Sequence, residues 1–103
     1  MDLVETCYGV VAGFPRSEEF VLSAQLRRAA ISVPSNIAEG QRLSRPAFRS
    51  YLRTALASEA ELETQLELAA RLGFLERARA AAAVDQAEEV ARVVRGLIAS
   101  LGR

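Results

Sequence analysis

The sequence contains no histidine, no tryptophan and no lysine, and a single cysteine, Cys7, in 103 residues. The absence of histidine removes the most common general acid and base and the most common metal ligand. One thiol cannot form an intramolecular disulfide, and with no histidine it cannot complete a zinc site of four nitrogen or sulfur ligands. This composition predicts no catalytic centre, no metal site and no cofactor, and it fits a reducing, cytoplasmic setting.

The sequence also lacks long apolar runs. Its longest uncharged stretches, Thr6 to Pro15 and Ala29 to Ala38, fall far short of the roughly 20 residues that span a bilayer. Asp2 and Glu5 stand where a signal peptide carries positive charge. We therefore expect neither export nor membrane insertion.

What the chain does contain is helix-forming residues: alanine occurs nineteen times, and the thirteen basic residues, all arginine, balance thirteen acidic ones. The length fits one domain, residues 1–103. Glycine and proline divide the chain into four apolar-patterned segments: Asp2–Ala12, Ser17–Glu39, Ser44–Leu72 and Glu76–Leu101. Because the breaks are short, we predict an all-α, up-down-up-down, left-handed four-helix bundle.

Residues at the breaks predict helix caps. Gly13, Gly40 and Gly73 are expected to adopt the left-handed backbone that ends helices, and Ser17 and Ser44 to act as N-caps. In the fourth segment the predicted buried stripe consists of Ala87, Val90, Val94, Leu97 and Leu101.

The second segment has two apolar faces when successive residues are turned by about 100°. The main stripe is Leu22, Leu26, Ala29, Val33 and Ile37, and the opposite face carries Phe20, Ala24, Ile31 and Ala38. A monomeric bundle buries one face per helix, so the opposite face predicts a homo-oligomer interface. Pro34 interrupts the segment and leaves two alternatives open, one kinked helix or two short ones.

Several runs of this chain resemble one protein family. They are Phe14-Pro15, the run from Gln25 to Gly40 that contains Ser-Val-Pro-Ser-Asn-Ile-Ala-Glu-Gly, the run from Ser58 to Leu66, and Arg71 to Leu75. They resemble the bacterial four-helix bundle proteins first noticed as reading frames within intervening sequences of 23S ribosomal RNA genes. The resemblance implies a left-handed bundle with a proline-kinked second helix, rings that are typically pentamers, and no established enzymatic activity.

More distantly, the chain is similar to accessory proteins of diversity-generating retroelements. That similarity implies basic pentameric barrels that engage nucleic acid and a reverse transcriptase. Members of the family usually begin one to three helical turns earlier, so we expect a short first helix here.

Arginines are concentrated around the second break despite the zero net charge. The candidate nucleic-acid-binding residues are Arg27, Arg42, Arg45, Arg49 and Arg53, and the last four recur at spacings that form a stripe able to follow phosphates. The alternative is that these arginines pair with Glu59, Glu63 and Glu67 or are simply solvated.

Polar residues of the second and third segments predict a structural network that fixes helix register. Its candidates are Gln25, Arg28, Ser32, Asn36 and Glu39 with Glu61 and Gln65. The glutamates of the third segment do not predict a di-iron centre, because such sites pair glutamate with histidine. The sequence thus predicts a non-enzymatic homo-oligomer, a nucleic-acid-associated or reverse-transcriptase-associated accessory; the alternative is a protein-interaction scaffold ring that binds no nucleic acid.

Overall fold

The computed structural model describes residues 2–15 and 19–102, apart from the side chains of Glu19 and Phe20. It contains four α-helices, which we number α1 (Asp2–Ala12), α2 (Ala24–Gly40), α3 (Arg45–Arg71) and α4 (Arg77–Leu101). A π-helical segment, Glu19–Ser23, leads into α2. No strand occurs in the described ranges, so the predicted all-α class is confirmed.

The helices form a four-membered bundle. Helix α3 packs against α2 and α4, and α1 packs against the same two helices from the other side. Since successive helices are joined by short connections, neighbours run antiparallel. The bundle measures 45 × 23 × 18 Å. None of the described helices is long and apolar enough to cross a membrane.

The densest part of the core lies where α1 covers the other helices. Leu3, Cys7, Leu26, Leu62 and Leu66 are at most 1% exposed and belong to one apolar cluster. Fully burying a leucine side chain stabilises the fold by about 1.5 to 3 kcal/mol relative to leaving it in water. This cluster fixes the orientation of α3, which carries polar residues on either side of its apolar stripe.

The aromatic rings near the α3–α4 turn close that end of the core. Phe14, which follows α1, lies with its ring centroid 5.9 Å from that of Phe74. Thr6 on α1 donates a hydrogen bond of 2.8 Å to Oε1 of Gln86 on α4. These contacts hold α1 against the half of α4 that is nearest the turn.

The predicted glycine caps are only partly correct. Gly73 has a φ of 81° and is the only described glycine with positive φ, so Gly13 and Gly40 are not left-handed caps. Gly40 is instead the last residue of α2 and is buried. A Cβ there would lie 2.8 Å from Cδ1 of Phe48 and 2.8 Å from Cβ of Tyr51. Gly40 is therefore required by the close approach of α3.

The start of α3 agrees with the sequence. Ser44 has extended backbone geometry (φ −61°, ψ 162°) and its hydroxyl accepts a hydrogen bond from the amide of Ala47. This is the geometry of an N-cap. The other predicted cap, Ser17, lies outside the described residues.

Helix α2 continues through Pro34 as a single helix. Of the two alternatives that the sequence left open, the structure therefore has one helix rather than two short ones. It begins at Ala24, later than predicted, because Glu19–Ser23 forms a π-helix rather than an α-helix. Ser23, the residue before α2, is fully buried and makes no side-chain cap.

The predicted buried stripe of α4 is partly correct. Ala87 and Val94 are buried as predicted, whereas Val90 and Leu101 are half-buried and Leu97 is 37% exposed. The other buried residues of α4 are alanines, namely Ala80, Ala83 and Ala91. Small side chains at buried positions allow neighbouring helices to approach closely.

Candidate nucleic-acid interface

Four of the five candidate nucleic-acid-binding arginines lie together at the α2–α3 end of the bundle. Arg42 is in the turn, Arg45 is the first residue of α3, and Arg49 and Arg53 follow one and two helical turns later. We call these four residues the arginine end. Arg42, Arg45 and Arg53 are exposed, and none of the four forms an ion pair with a described residue. The charges of the three exposed arginines are therefore directed to solvent.

Arg49 has a second contact that the sequence does not reveal. Its Nη1 lies 3.3 Å from the position that a Cβ on Gly102 would occupy, so the guanidinium rests over the carboxyl end of α4. A cation in this position is stabilised by the negative end of the helix dipole. Arg49 thus connects the arginine end to the last turn of α4.

Arg27 does not belong to the arginine end. It is half-buried in the first turn of α2, thirteen residues before Gly40. At a rise of about 1.5 Å per residue, that distance along the helix is roughly 20 Å. Arg27 was grouped with the other four because they are close along the chain. The length of α2 separates Arg27 from them in space.

Polar residues pair across the contact between α2 and α3. Nη2 of Arg28 donates to both carboxylate oxygens of Glu61 at 3.0 and 2.9 Å, and the same guanidinium donates to Oε1 of Gln25. The ion pair is solvent-exposed, with side-chain exposures of 56% and 42%. Its contribution to stability is accordingly modest.

A second polar cluster lies deeper in the same contact. The hydroxyls of Ser32 and Ser58 are 2.7 Å apart and share a hydrogen bond. Nδ2 of Asn36 donates to the backbone oxygen of Ser32 at 2.8 Å and to its hydroxyl at 3.0 Å. The Ser32 and Ser58 pair joins α2 to α3 at one defined position along the two helices.

Two residues of the proposed network are not joined to it. Glu39 is exposed, and no hydrogen bond or ion pair connects it to the other candidates within the described part of the chain. Gln65 faces α2, and its Oε1 is buried without a hydrogen-bond donor. The contacts therefore link five of the seven candidates to one another or to Ser58.

The second apolar face of α2 is exposed. Ala24, Ile31 and Ala38 all lie at the surface, and Ile31 is 42% exposed. The side chain of Phe20, the fourth candidate interface residue, lies outside the described residues. No other described element covers this face.

Glu59, which the sequence indicated only as a possible partner of the arginines, is an unusual charged residue because it is buried. It is 4% exposed and its Oε2 has no hydrogen-bond partner. Burial, a hydrogen bond with Glu63 and the negative charges of Glu63 and Glu88 raise the pKa of Glu59 to about 8, against a smaller opposing effect of Arg95. The spacing of Ala55, Glu59 and Leu62 was the available signal, since it places a carboxylate within an apolar heptad.

The single cysteine is not an activated nucleophile. Cys7 is completely buried, and this burial raises the pKa of its thiol to about 11. A thiol in that environment stays protonated at neutral pH and is unreactive. In the described ranges no cluster of three or more cysteine, aspartate or glutamate side chains has the arrangement of a metal site.

Comparison with known proteins finds one matching family model and several matching solved structures. Residues 1–96 match the family described as 23S rRNA-intervening sequence protein. A crystal structure of a Bacteroides thetaiotaomicron protein of unknown function, from the S23 ribosomal protein family, is 28% identical and superposes with a TM-score of 0.80; the match covers 94% of this chain and 88% of that one. No curated protein matches the chain.

Proposed function

Since the chain belongs to the 23S rRNA-intervening sequence protein family, we propose that it is a non-enzymatic, homo-oligomeric accessory that associates with nucleic acid through the arginine end. The observation that carries this proposal is a cluster of four arginines with no carboxylate paired to any of them among the described residues. Internal pairing, the alternative explanation for these arginines, therefore has no contact to support it in the described structure.

The spacing of the arginine end suits a phosphate backbone. Arg45, Arg49 and Arg53 recur every four residues on one side of α3, so they extend over about 12 Å. Phosphates of one strand follow each other at about 3.4 Å along a duplex axis, so the stripe reaches several of them. A ring of subunits would repeat the stripe around its circumference and multiply the number of contacts.

The exposed face of α2 supports the oligomeric part of the proposal. Ala24, Ile31 and Ala38 provide an apolar surface opposite the core, and small side chains allow another helix to approach closely. The family resemblance favours a pentamer in the cytoplasm, and the more distant resemblance makes a reverse transcriptase the expected protein partner.

Charge reversal at the arginine end tests the nucleic-acid part. Arg45→Glu with Arg53→Glu should weaken binding of a short mixed-sequence RNA or DNA at low salt by at least about tenfold, because two phosphate contacts are replaced by repulsion. Arg49 is left intact because it also contacts the end of α4. The matched control is Arg77→Glu with Arg79→Glu, which makes the same charge change at the start of α4. Equal losses in both proteins would contradict the proposal.

Substitution on the α2 face tests the oligomer separately. Ile31→Glu should leave the helical content unchanged by circular dichroism and reduce the solution mass measured by light scattering to that of a monomer. Val93→Glu, which changes a side chain 59% exposed on α4, is the control and should retain the wild-type mass. An unchanged mass for Ile31→Glu would exclude this face as the interface.

The second candidate function is a scaffold ring that binds partner proteins but not nucleic acid. The observation that favours it is the zero net charge, which provides no overall attraction to a polyanion. A wild-type ring that fails to bind RNA and DNA at low salt would support the scaffold in place of the accessory.

A further inference from the structure

The outer edge of the contact between α3 and α4 carries a row of carboxylates. Glu59, Glu63 and Glu67 follow one another at intervals of four residues on α3, and Asp85 and Glu88 lie three residues apart on α4. We call these five residues the acidic edge. Glu63 and Glu88 both act on Glu59 electrostatically, and Glu67 and Asp85 line one groove, so the two rows face each other.

No described arginine forms a salt bridge with a carboxylate of the acidic edge. Within the described part of the chain, salt bridges join only Arg28 to Glu61 and Arg92 to Glu89, and neither pair belongs to this edge. Arg95 favours the ionised form of Glu59 but makes no salt bridge with it. Like charges one helical turn apart destabilise a helix, so the row is unfavourable in the isolated chain.

Glu59 provides independent evidence that this edge receives a ligand. The residue is 96% buried, since its relative exposure is 4%, and its Oε2 accepts no hydrogen bond. A buried acceptor without a donor is destabilising, and more so when the group is charged. An external donor that carries positive charge would satisfy this oxygen and favour the ionised form of Glu59, which Glu63 and Glu88 disfavour.

A groove continues from the acidic edge toward the α3–α4 turn. Its volume is about 340 Å³, and its lining includes Ala70, Ala80, Ala81 and Val84 as well as Glu67 and Asp85. Small apolar side chains beside carboxylates suit the long aliphatic part and the cationic head of arginine or lysine. Arg71 and Arg77 lie at the end of the groove nearest the turn and confine the negative charge to its central part.

We propose that the acidic edge of α3 and α4 docks an arginine-bearing or lysine-bearing segment of a partner protein, with one cationic side chain entering between Glu59, Glu63 and Glu88. The segment need not be helical. This inference does not rest on the proposed function, because the acidic edge contains none of the arginines assigned to nucleic acid and none of the exposed α2 face.

The test uses the full chain and a fluorescein-labelled oligo-arginine peptide, with binding followed by fluorescence anisotropy at low salt. Glu63→Gln with Glu88→Gln should weaken binding by about tenfold, because two attractive charges are lost. The matched control, Glu76→Gln with Glu89→Gln, removes the same charge from α4 and from the residue before it, outside the acidic edge. It should change the affinity less than about twofold.

A pH series separates this site from general attraction between opposite charges. A cation favours ionised Glu59, whose pKa in the free chain is about 8, so binding should tighten as the pH is raised from about 6 to about 9. The arginine peptide keeps its charge throughout this range. Glu59→Gln should remove the pH dependence while leaving the chain folded.

Three results would overturn the proposal. These are equal weakening of peptide binding by the test and control pairs, affinity in the wild type that does not change with pH, and no binding of the peptide at low salt. Light scattering adds a fourth: if Glu63→Gln with Glu88→Gln dissociates the oligomer, the occupant of the acidic edge is a second copy of this chain. Nucleic-acid binding measured on the same variants should be unchanged, which keeps this test distinct from that of the arginine end.

Discussion

Helix α3 meets its two neighbours in different ways. Toward α2, polar groups find partners across the contact, as in the hydrogen bonds between Ser32 and Ser58 and between Arg28 and Glu61. Toward α4, the carboxylates of the acidic edge face one another, and Glu59 is buried among them. The named polar groups of the first contact are paired within one chain, whereas no described salt bridge pairs the carboxylates of the second.

The difference follows from the residues that each neighbour supplies. Helix α2 presents Arg28 and Ser32 to α3, where they form hydrogen bonds with a carboxylate and a hydroxyl of that helix. Helix α4 packs with alanine and places Asp85 and Glu88 at the edge of the contact. Alanine brings the backbones close but neutralises no charge. Close packing and electrostatic pairing are thus achieved on opposite sides of α3.

The largest expected effect on stability comes from Glu59→Gln, which removes the buried carboxyl group at the contact between α3 and α4. The folded pKa of about 8 lies above the usual value of 4.5, so between these values the unfolded chain ionises while the folded chain keeps its proton. Stability of the wild type is therefore undiminished below about pH 4.5 and is lost as the pH rises toward 8. The unfolding free energy of Glu59→Gln relative to wild type should increase by about 4 kcal/mol between pH 5 and pH 9.

Urea denaturation at the two pH values measures this difference. Glu89→Gln is the control, because Glu89 is exposed and pairs with Arg92 on the same helix. Its stability relative to wild type should stay constant across the same range. A constant difference for Glu59→Gln as well would mean that Glu59 is ionised in the folded chain at neutral pH.

A smaller change in stability is expected from a substitution at Gly40, which lies in the contact between α2 and α3. An alanine there would bring its Cβ within 2.8 Å of Tyr51 Cβ and Phe48 Cδ1, so α3 would have to move away. We expect Gly40→Ala to lower the unfolding free energy by about 1 to 3 kcal/mol, the usual cost of overpacking. Thermal and urea denaturation measure the loss.

Gly96→Ala is the matched control for this change. Gly96 lies within α4, and a Cβ there would meet no atom within 4 Å. The substitution should stabilise the chain by about 0.5 to 1 kcal/mol, because alanine is the better helix former. If both substitutions had the same sign, the close approach of α3 to Gly40 would be refuted.

The smallest effect concerns the exposed ion pair between Arg28 and Glu61. A double-mutant cycle with Arg28→Ala and Glu61→Ala should give a coupling energy of about 0.2 to 1 kcal/mol, reduced further at high salt. A cycle with Arg92→Ala and Glu89→Ala provides a reference pair within one helix. A coupling above about 2 kcal/mol for the first pair would show that it resists screening and holds α2 against α3 more firmly than its exposure indicates.

The fold was predictable because its signals are local. Glycine and proline mark the ends of the helices, and Leu26, Leu62 and Leu66 lie on the apolar stripes that the 3.6-residue period indicates. Ser44 acts as the predicted cap for the same reason, since its partner is the amide only three residues away. Local signals were enough to establish four helices and their order.

Features that depend on contact between helices were harder to predict. Gly40 has the same appearance in the sequence as a helix-ending glycine, but the need for it comes from Phe48 and Tyr51 on the next helix. The buried stripe of α4 was placed partly on larger residues, whereas most of its buried residues are alanines. The burial of Glu59 was not predicted, because a glutamate is normally solvated.

If the arginine end binds an anion as proposed, the position of Arg49 over the end of α4 would couple that binding to the last turn of the helix. The amide of Gly102 donates a hydrogen bond of 3.1 Å to the carbonyl of Ile98. This bond closes the last turn of α4 beside the guanidinium of Arg49. An anion that draws Arg49 away removes positive charge from the carboxyl end of the helix, and terminal turns are the first to fray. Occupancy at the arginine end would then be recorded as faster amide hydrogen exchange in the last turn of α4.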